Sequence, residues 1–237
     1  MRQPEMLLLY CLLKTPAELP VLKGLGESAL QYFSRDGLTV AYSEVSNIDL
    51  VSIESTTEHP AFQYERIVMT LHQQHHLIPI RFGEKVTGVE KIESLLNTHA
   101  PKIHQALNQL GDKSELIFKV RPTTLPEKKL PESLKDSKNK GIAYLRKKYQ
   151  KHQQTFAAED DLSVVEKVFL SVFQSVLFDH QVALKSDSVA VRLLVARSYQ
   201  TSESITKQLV EQLPNHELSF TGAFPPYHFA TLQLGKP

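Results

Sequence analysis

The chain reads as an α+β protein in two parts, and three observations predict this. Short apolar runs of strand length alternate with stretches of helical period, glycines and prolines separate them, and one proline-dense segment divides the chain near its middle. With 237 residues, 41% of them hydrophobic and 22% charged, the chain is long enough for one large core or two modest ones.

The first element is a continuous apolar run over residues 6–13, which predicts a central strand buried on both faces. Pro16 and Pro20 then interrupt regular structure. Residues 29–33 and 38–45 read as two strands joined through Asp36-Gly37, a dipeptide suited to a tight turn with positive φ. Pro60 opens a helix whose apolar face is Tyr64, Ile67, Val68 and Leu71, spaced i, i+3, i+4 and i+7. A short strand over 77–81 follows, closed by Phe82-Gly83. Residues 86–110 read as helical, with Pro101 starting a second segment after a bend. Gly111 stops that helix, and 115–120 reads as a strand.

Between residues 121 and 131, Pro122, Pro126 and Pro131 resist helix and sheet alike. This places a first domain over 1–121, a linker over 122–134 and a second domain over 135–237. In the second, Ile142, Leu145 and Tyr149 mark an amphipathic helix with a basic remainder. Asp160 or Asp161 is suited to cap the next helix, with its apolar face on Leu162, Val165, Phe169, Val172, Phe173 and Val176. Residues 189–196 read as a mostly buried strand. A helix over 202–212 follows, capped by Thr201 or Ser202. Extended segments over 217–221 and 227–234 end the chain.

Composition narrows the function. Lys and Arg total 27 against 26 acidic residues, a net charge of +1, without the basic excess of a dedicated nucleic-acid binder. One cysteine, Cys11, sits inside the first apolar run and reads as a small core residue. No stretch approaches the roughly 20 apolar residues that a bilayer span requires. The first run lacks a basic flank and a cleavage site, so a cytoplasmic protein is expected.

The sharpest candidate chemistry is His72-Gln73-Gln74-His75-His76. In a continuing helix His72 and His76 share a face at zinc-ligand spacing. No Glu follows the first His, no Cys is near, and the helix must end at about His76 for the next strand to begin. Structural histidines are therefore expected, and a metal-dependent hydrolase on the His72/His76 pair is the rival reading. Arg81 either binds an anion or a partner, or pairs with a carboxylate such as Glu84. The basic helix bearing Lys138, Lys140, Arg146, Lys147, Lys148 and Lys151 reads as a solvated face without the interleaved aromatics of a single-strand binder. Gly24-Leu25-Gly26 is too short for a phosphate loop, and nothing calls for a cofactor. Phe220, Phe224, Pro225, Pro226, Tyr227 and Phe229 form the densest aromatic and proline cluster, which serves either as a contact surface or as a structural clamp.

Three of these segments together resemble the gas vesicle protein F/L family. Leu77-Ile78-Pro79-Ile80-Arg81-Phe82-Gly83 is similar to that family's Leu-Pro-Leu-Arg-Phe-Gly signature. Gly141-Ile142-Ala143-Tyr144-Leu145 resembles its Gly-Lys-Ala-Tyr-Leu helix start, and the segment from Thr221 to Phe229 resembles its Gly-Pro-Trp-Pro-Pro-Tyr-Ser-Phe segment. Here Ala223 stands for a proline, Phe224 for a tryptophan and His228 for a serine. The resemblance implies a modified ferredoxin-like first domain and a second α+β domain. It also implies a non-enzymatic accessory or minor structural protein of the gas vesicle, in contact with the small hydrophobic shell protein (gas vesicle protein A) and other vesicle proteins. On that reading Arg81, Phe82, Phe224, Pro225, Pro226, Tyr227 and Phe229 are the candidates for partner contact, with no cofactor, metal or catalytic residue.

Overall fold

The computed structural model describes residues 6–25, 28–45, 59–123, 162–185 and 188–230. The expected linker beyond Thr123, the basic helix, its Gly141–Leu145 start and the Asp160/Asp161 cap lie outside these residues. The chain is mixed α+β and divides into two compact units, Met1–Glu115 with Phe224–Pro237, and Leu116–Ala223.

The first unit is built on β1 (Met6–Lys14), the buried central strand expected from its apolar run. β1 pairs antiparallel with β3 (Leu38–Glu44), and β3 pairs with β2 (Gln31–Arg35). The β2–β3 turn has Asp36 at φ 50° and Gly37 at φ 77°, the positive pair that a two-residue hairpin loop requires. The other side of β1 is shared. β4 (Leu77–Pro79) pairs with Cys11, Leu12 and Leu13, while β5 (Lys85–Thr87) pairs with Met6, Leu7 and Leu8.

A bulge at Tyr10 shifts the β1 register between Leu9 and Cys11. Leu7, Leu9 and Leu12 therefore face one core and Leu8, Tyr10, Cys11 and Leu13 the other. Helix α1 (Pro60–Gln74) covers the second of these faces through Tyr64, Ile67, Val68 and Leu71. Helix α2 (Val89–Leu110) covers the first through Ile92, Leu96, Ile103 and Leu107. The unit expected to be a modified ferredoxin-like domain thus has strand order β2-β3-β1-β4 with one helix on each face.

Two local expectations are corrected here. Residues 85–87 form β5 rather than the start of a helix, because pairing with β1 holds them extended and Gly88, at φ 75°, turns the chain before α2 begins. Pro101 lies inside one continuous helix rather than opening a second. A proline forfeits one helical hydrogen bond, and the apolar stripe continuing on both sides of it outweighs that loss.

The second unit carries a sheet in the order β7-β8-β6-β9. Its strands are β6 (Lys113–Pro122), β7 (Leu177–Leu184), β8 (Val189–Ala196) and β9 (His216–Phe224). Helix α3, over 162–173, and helix α4 (Glu203–Gln212) supply the rest of its core. Phe118 and Val120 of β6 and alternate residues of β8 pack with Val165, Phe169 and Phe173 of α3 and with Leu209 and Leu213. Ser202 caps α4, its Oγ accepting the Ile205 N–H at 3.4 Å.

Sequence pattern did not predict β7, because a bulge between Leu177 and Asp179 breaks the alternation that marks a strand. α3 stops at Phe173, and Val176 lies in the following turn. Residues 227–229 are also a turn rather than an extended segment. The Tyr227 N–H donates to Pro225 C=O at 2.7 Å and the Ala230 N–H to Pro226 C=O at 2.9 Å. The continuation to 234 lies outside the described residues.

Candidate functional site

The β1 bulge and the gap between β4 and β5 meet at one place. There the Ile80 N–H donates to Tyr10 C=O at 2.9 Å, and the Leu9 N–H donates to Glu84 C=O at 3.0 Å. The loop over 80–84 is thereby fastened to β1 at both ends. Gly83, at φ 95°, supplies the reversal between them.

Tyr64 of α1 reaches the same point from within the core. Its buried hydroxyl lies 2.6 Å from Ile80 O, 2.9 Å from Leu9 O and 3.1 Å from Tyr10 O. A phenol has one proton to donate, so it serves one of these carbonyls at a time. Its ring stacks on Tyr10 at 4.9 Å and meets Phe82 edge-on at 5.2 Å. Helical spacing places Tyr64 on the core face of α1. The bulge then turns carbonyls toward it.

The effect is to hold the loop with Ile80 buried and residues 81–84 reaching the surface. Arg81 is exposed and Phe82 is 41% exposed. Arg81 and Glu84 meet through the backbone, the Glu84 N–H donating to Arg81 C=O at 3.3 Å, rather than through the side-chain ion pair that the sequence allowed.

The C-terminal cluster behaves differently. Pro225, Pro226 and Phe229 are buried, Phe224 and Tyr227 are partly buried, and Tyr227 packs against the same core cluster as Tyr64. Burial, followed by the neighbouring Tyr227, holds the Tyr64 hydroxyl well above the ordinary tyrosine range. Thus Tyr64 is where the two motif segments of this unit converge, one presenting side chains and the other burying them.

Glu115 is a residue that sequence pattern did not single out. Its carboxylate is 1% exposed, with His228 Nδ1 2.6 Å from Oε1 and the His228 N–H donating to Oε2 at 3.0 Å. One acidic residue at the head of an apolar strand was its only sequence signal.

The histidine cluster does not assemble as a zinc helix. α1 ends at Gln74, His75 is its C-cap, and His76 is exposed beyond the helix. His72 is buried, with Nε2 3.0 Å from Ser114 Oγ. Among the described residues no group of three His, Cys, Asp or Glu side chains is placed to hold a metal. Cys11 is buried in β1, and burial pushes its thiol well up, away from the nucleophilic form.

Burial also raises the hydroxyls of Tyr10, Tyr32, Tyr64 and Tyr227, all in this unit. The protonated phenol is the form that folding favours, so this stability is fully present below the ordinary tyrosine value near 10 and is lost as pH rises above it. Each tyrosine that must ionise on unfolding contributes a slope of about 1.4 kcal/mol per pH unit in that window. A urea midpoint level from pH 7 to 9 and falling above pH 10, in step with tyrosinate absorbance, is the expected result.

Among the described residues no helix is long and apolar enough to cross a membrane. A family model described as "Gas vesicle synthesis protein GvpL/GvpF" matches residues 6–231. The fold is similar to crystal structures of gas vesicle protein GvpF from two organisms. The Anabaena protein is 18% identical with a TM-score of 0.66, over 97% of this chain and 97% of that one. The Microcystis aeruginosa protein is 15% identical with a TM-score of 0.66, over 96% of this chain and 99% of that one. No curated protein sequence matches.

Proposed function

We propose, from the premise that this chain belongs to the gas vesicle synthesis protein GvpL/GvpF family, that it assists vesicle assembly by binding the small hydrophobic shell protein, gas vesicle protein A. The observation that carries this reading is the loop over 80–84. Its backbone is fastened to β1 at both ends, and Arg81 and Phe82 are left in solvent. A half-exposed aromatic beside a cation, on a loop already ordered, suits protein recognition because little entropy remains to be lost on binding. The reading needs no catalytic residue. It places the protein in the cytoplasm at the growing vesicle, with other vesicle proteins as further partners.

Within the candidate set, Arg81 and Phe82 are then contact residues, while Pro225, Pro226, Tyr227 and Phe229 act as a clamp that closes the unit. Capture of co-expressed shell protein by the intact chain tests this. Phe82→Ser is expected to weaken capture by about 2 kcal/mol or more, the scale of an interface anchor, while the unfolding midpoint falls only by the equivalent of about 1 kcal/mol for the lost edge-on contact with Tyr64. Undiminished capture by Phe82→Ser removes the loop from the interface. Absence of capture by the unaltered chain defeats the binding role.

A further inference from the structure

Unpaired sheet edges are usually protected against other strands by charge, proline, bulges or brevity. The first unit follows this rule. On β2, Arg35 is ion-paired with Glu93, and Gln31 Nε2 donates to Glu44 Oε1 at 3.0 Å. β4 and β5 are three residues each, one ending in Pro79 and the other beginning with Lys85. In the second unit β7 carries a bulge, Asp179 and the His180–Glu166 pair at 2.9 Å.

Among the described residues β9 is the other edge of that second sheet, and along most of its length it has none of these devices. From Leu218 to Phe224 it contains no ionisable side chain and no proline, and residues 219–223 are exposed in succession. Its two faces differ. Leu218 packs against the core and Phe220 lies over Phe118 at 4.8 Å while remaining 45% exposed; Ser219, Thr221 and Ala223 occupy the opposite face.

We propose that β9 is a receiving edge for strand addition. An extended, uncharged segment of the shell protein, apolar at alternate residues, pairs with the backbone over 219–223 and covers the exposed part of Phe220. The inference rests on the reading that this chain binds the shell protein, and it adds where and in what form.

Two features select this occupant. A charged strand finds no counter-ion between 218 and 224, so docking it buries an unpaired charge; an uncharged strand incurs no such cost. The alternation of β9, apolar toward Phe118 and small or polar on the other side, requires the same alternation in the strand beside it. Main-chain hydrogen bonds then give affinity and the Phe220 side gives selectivity.

The test is amide hydrogen exchange on the full chain, alone and in complex with co-expressed gas vesicle protein A, with Ser219→Lys and Thr221→Lys as variants. Both positions are exposed, so the variants are expected to keep the unfolding midpoint of the unaltered chain. Slowed exchange over 219–223 in the complex, together with capture reduced about tenfold by either lysine, the charge by which protected edges discourage strand pairing, is the expected result. A complex that forms with unchanged β9 exchange and ignores both lysines overturns the strand-addition inference and leaves the binding role standing. Failure of the unaltered chain to form any complex removes both. Concentration-dependent self-association abolished by the lysines overturns the proposal by assigning the edge to a second copy of this chain.

Discussion

Replacing Tyr64 with alanine is expected to destabilise the first unit by about 3–5 kcal/mol, the range for removing a large buried aromatic. The side chain is 2% exposed and combines three roles. Its ring fills the core between α1 and β1, it stacks on Tyr10, and its hydroxyl sits among the carbonyls of Leu9, Tyr10 and Ile80. Tyr64→Phe separates these roles. The ring and its packing remain, and the lost hydroxyl leaves buried carbonyls a donor short, at a cost of about 1–3 kcal/mol. Urea unfolding measures both losses. Amide exchange over 80–84 distinguishes a local pin from a general core residue. If the hydroxyl holds the loop, Tyr64→Phe speeds exchange there more than elsewhere in the sheet. A uniform increase shows instead that the β1 backbone bonds alone fix the loop, and the assignment of Tyr64 as its pin fails.

This arrangement also shows what was legible in the sequence. α1 was readable to within a residue or so because Pro60 marks its start and Tyr64, Ile67, Val68 and Leu71 repeat at helical spacing. The Asp36-Gly37 turn was readable because few residues accept its two positive φ angles. β1 was readable as buried, but the division of its side chains between two cores was not. That division depends on a bulge set by pairing with β3, and a run of leucines carries no phase of its own. β7 escaped detection for the same reason, its bulge having broken the alternation.

The candidate site was legible as motifs and illegible as geometry. Aromatic and proline density singled out residues 224–229 as readily as Arg81 and Phe82. Only the tertiary packing separates a segment buried beside Tyr227 from a loop that leaves Phe82 in solvent. Family resemblance names such segments without saying which side of the surface each lies on.

The second unit has a corresponding keystone in Phe118, and Phe118→Ala is expected to cost about 3–5 kcal/mol. Its ring, 2% exposed, lies 5.0 Å from Phe169, 5.7 Å from Phe173 and 4.8 Å from Phe220. It thus ties β6 to α3 and to β9. Aromatic pairs at such distances add to area burial, so Phe118→Leu, which keeps most of the volume, is expected to lose about 1 kcal/mol through the missing ring contacts. The alanine variant also bears on β9. With Phe118 truncated, Phe220 loses the ring beneath it and that edge of the sheet loosens. Faster amide exchange over 216–223 is therefore expected in Phe118→Ala, well beyond the change at β7 on the far edge. Equal loosening of both edges would mean that the aromatic cluster stabilises the sheet as a whole, and β9 would then owe its order to backbone pairing with β6 rather than to Phe118.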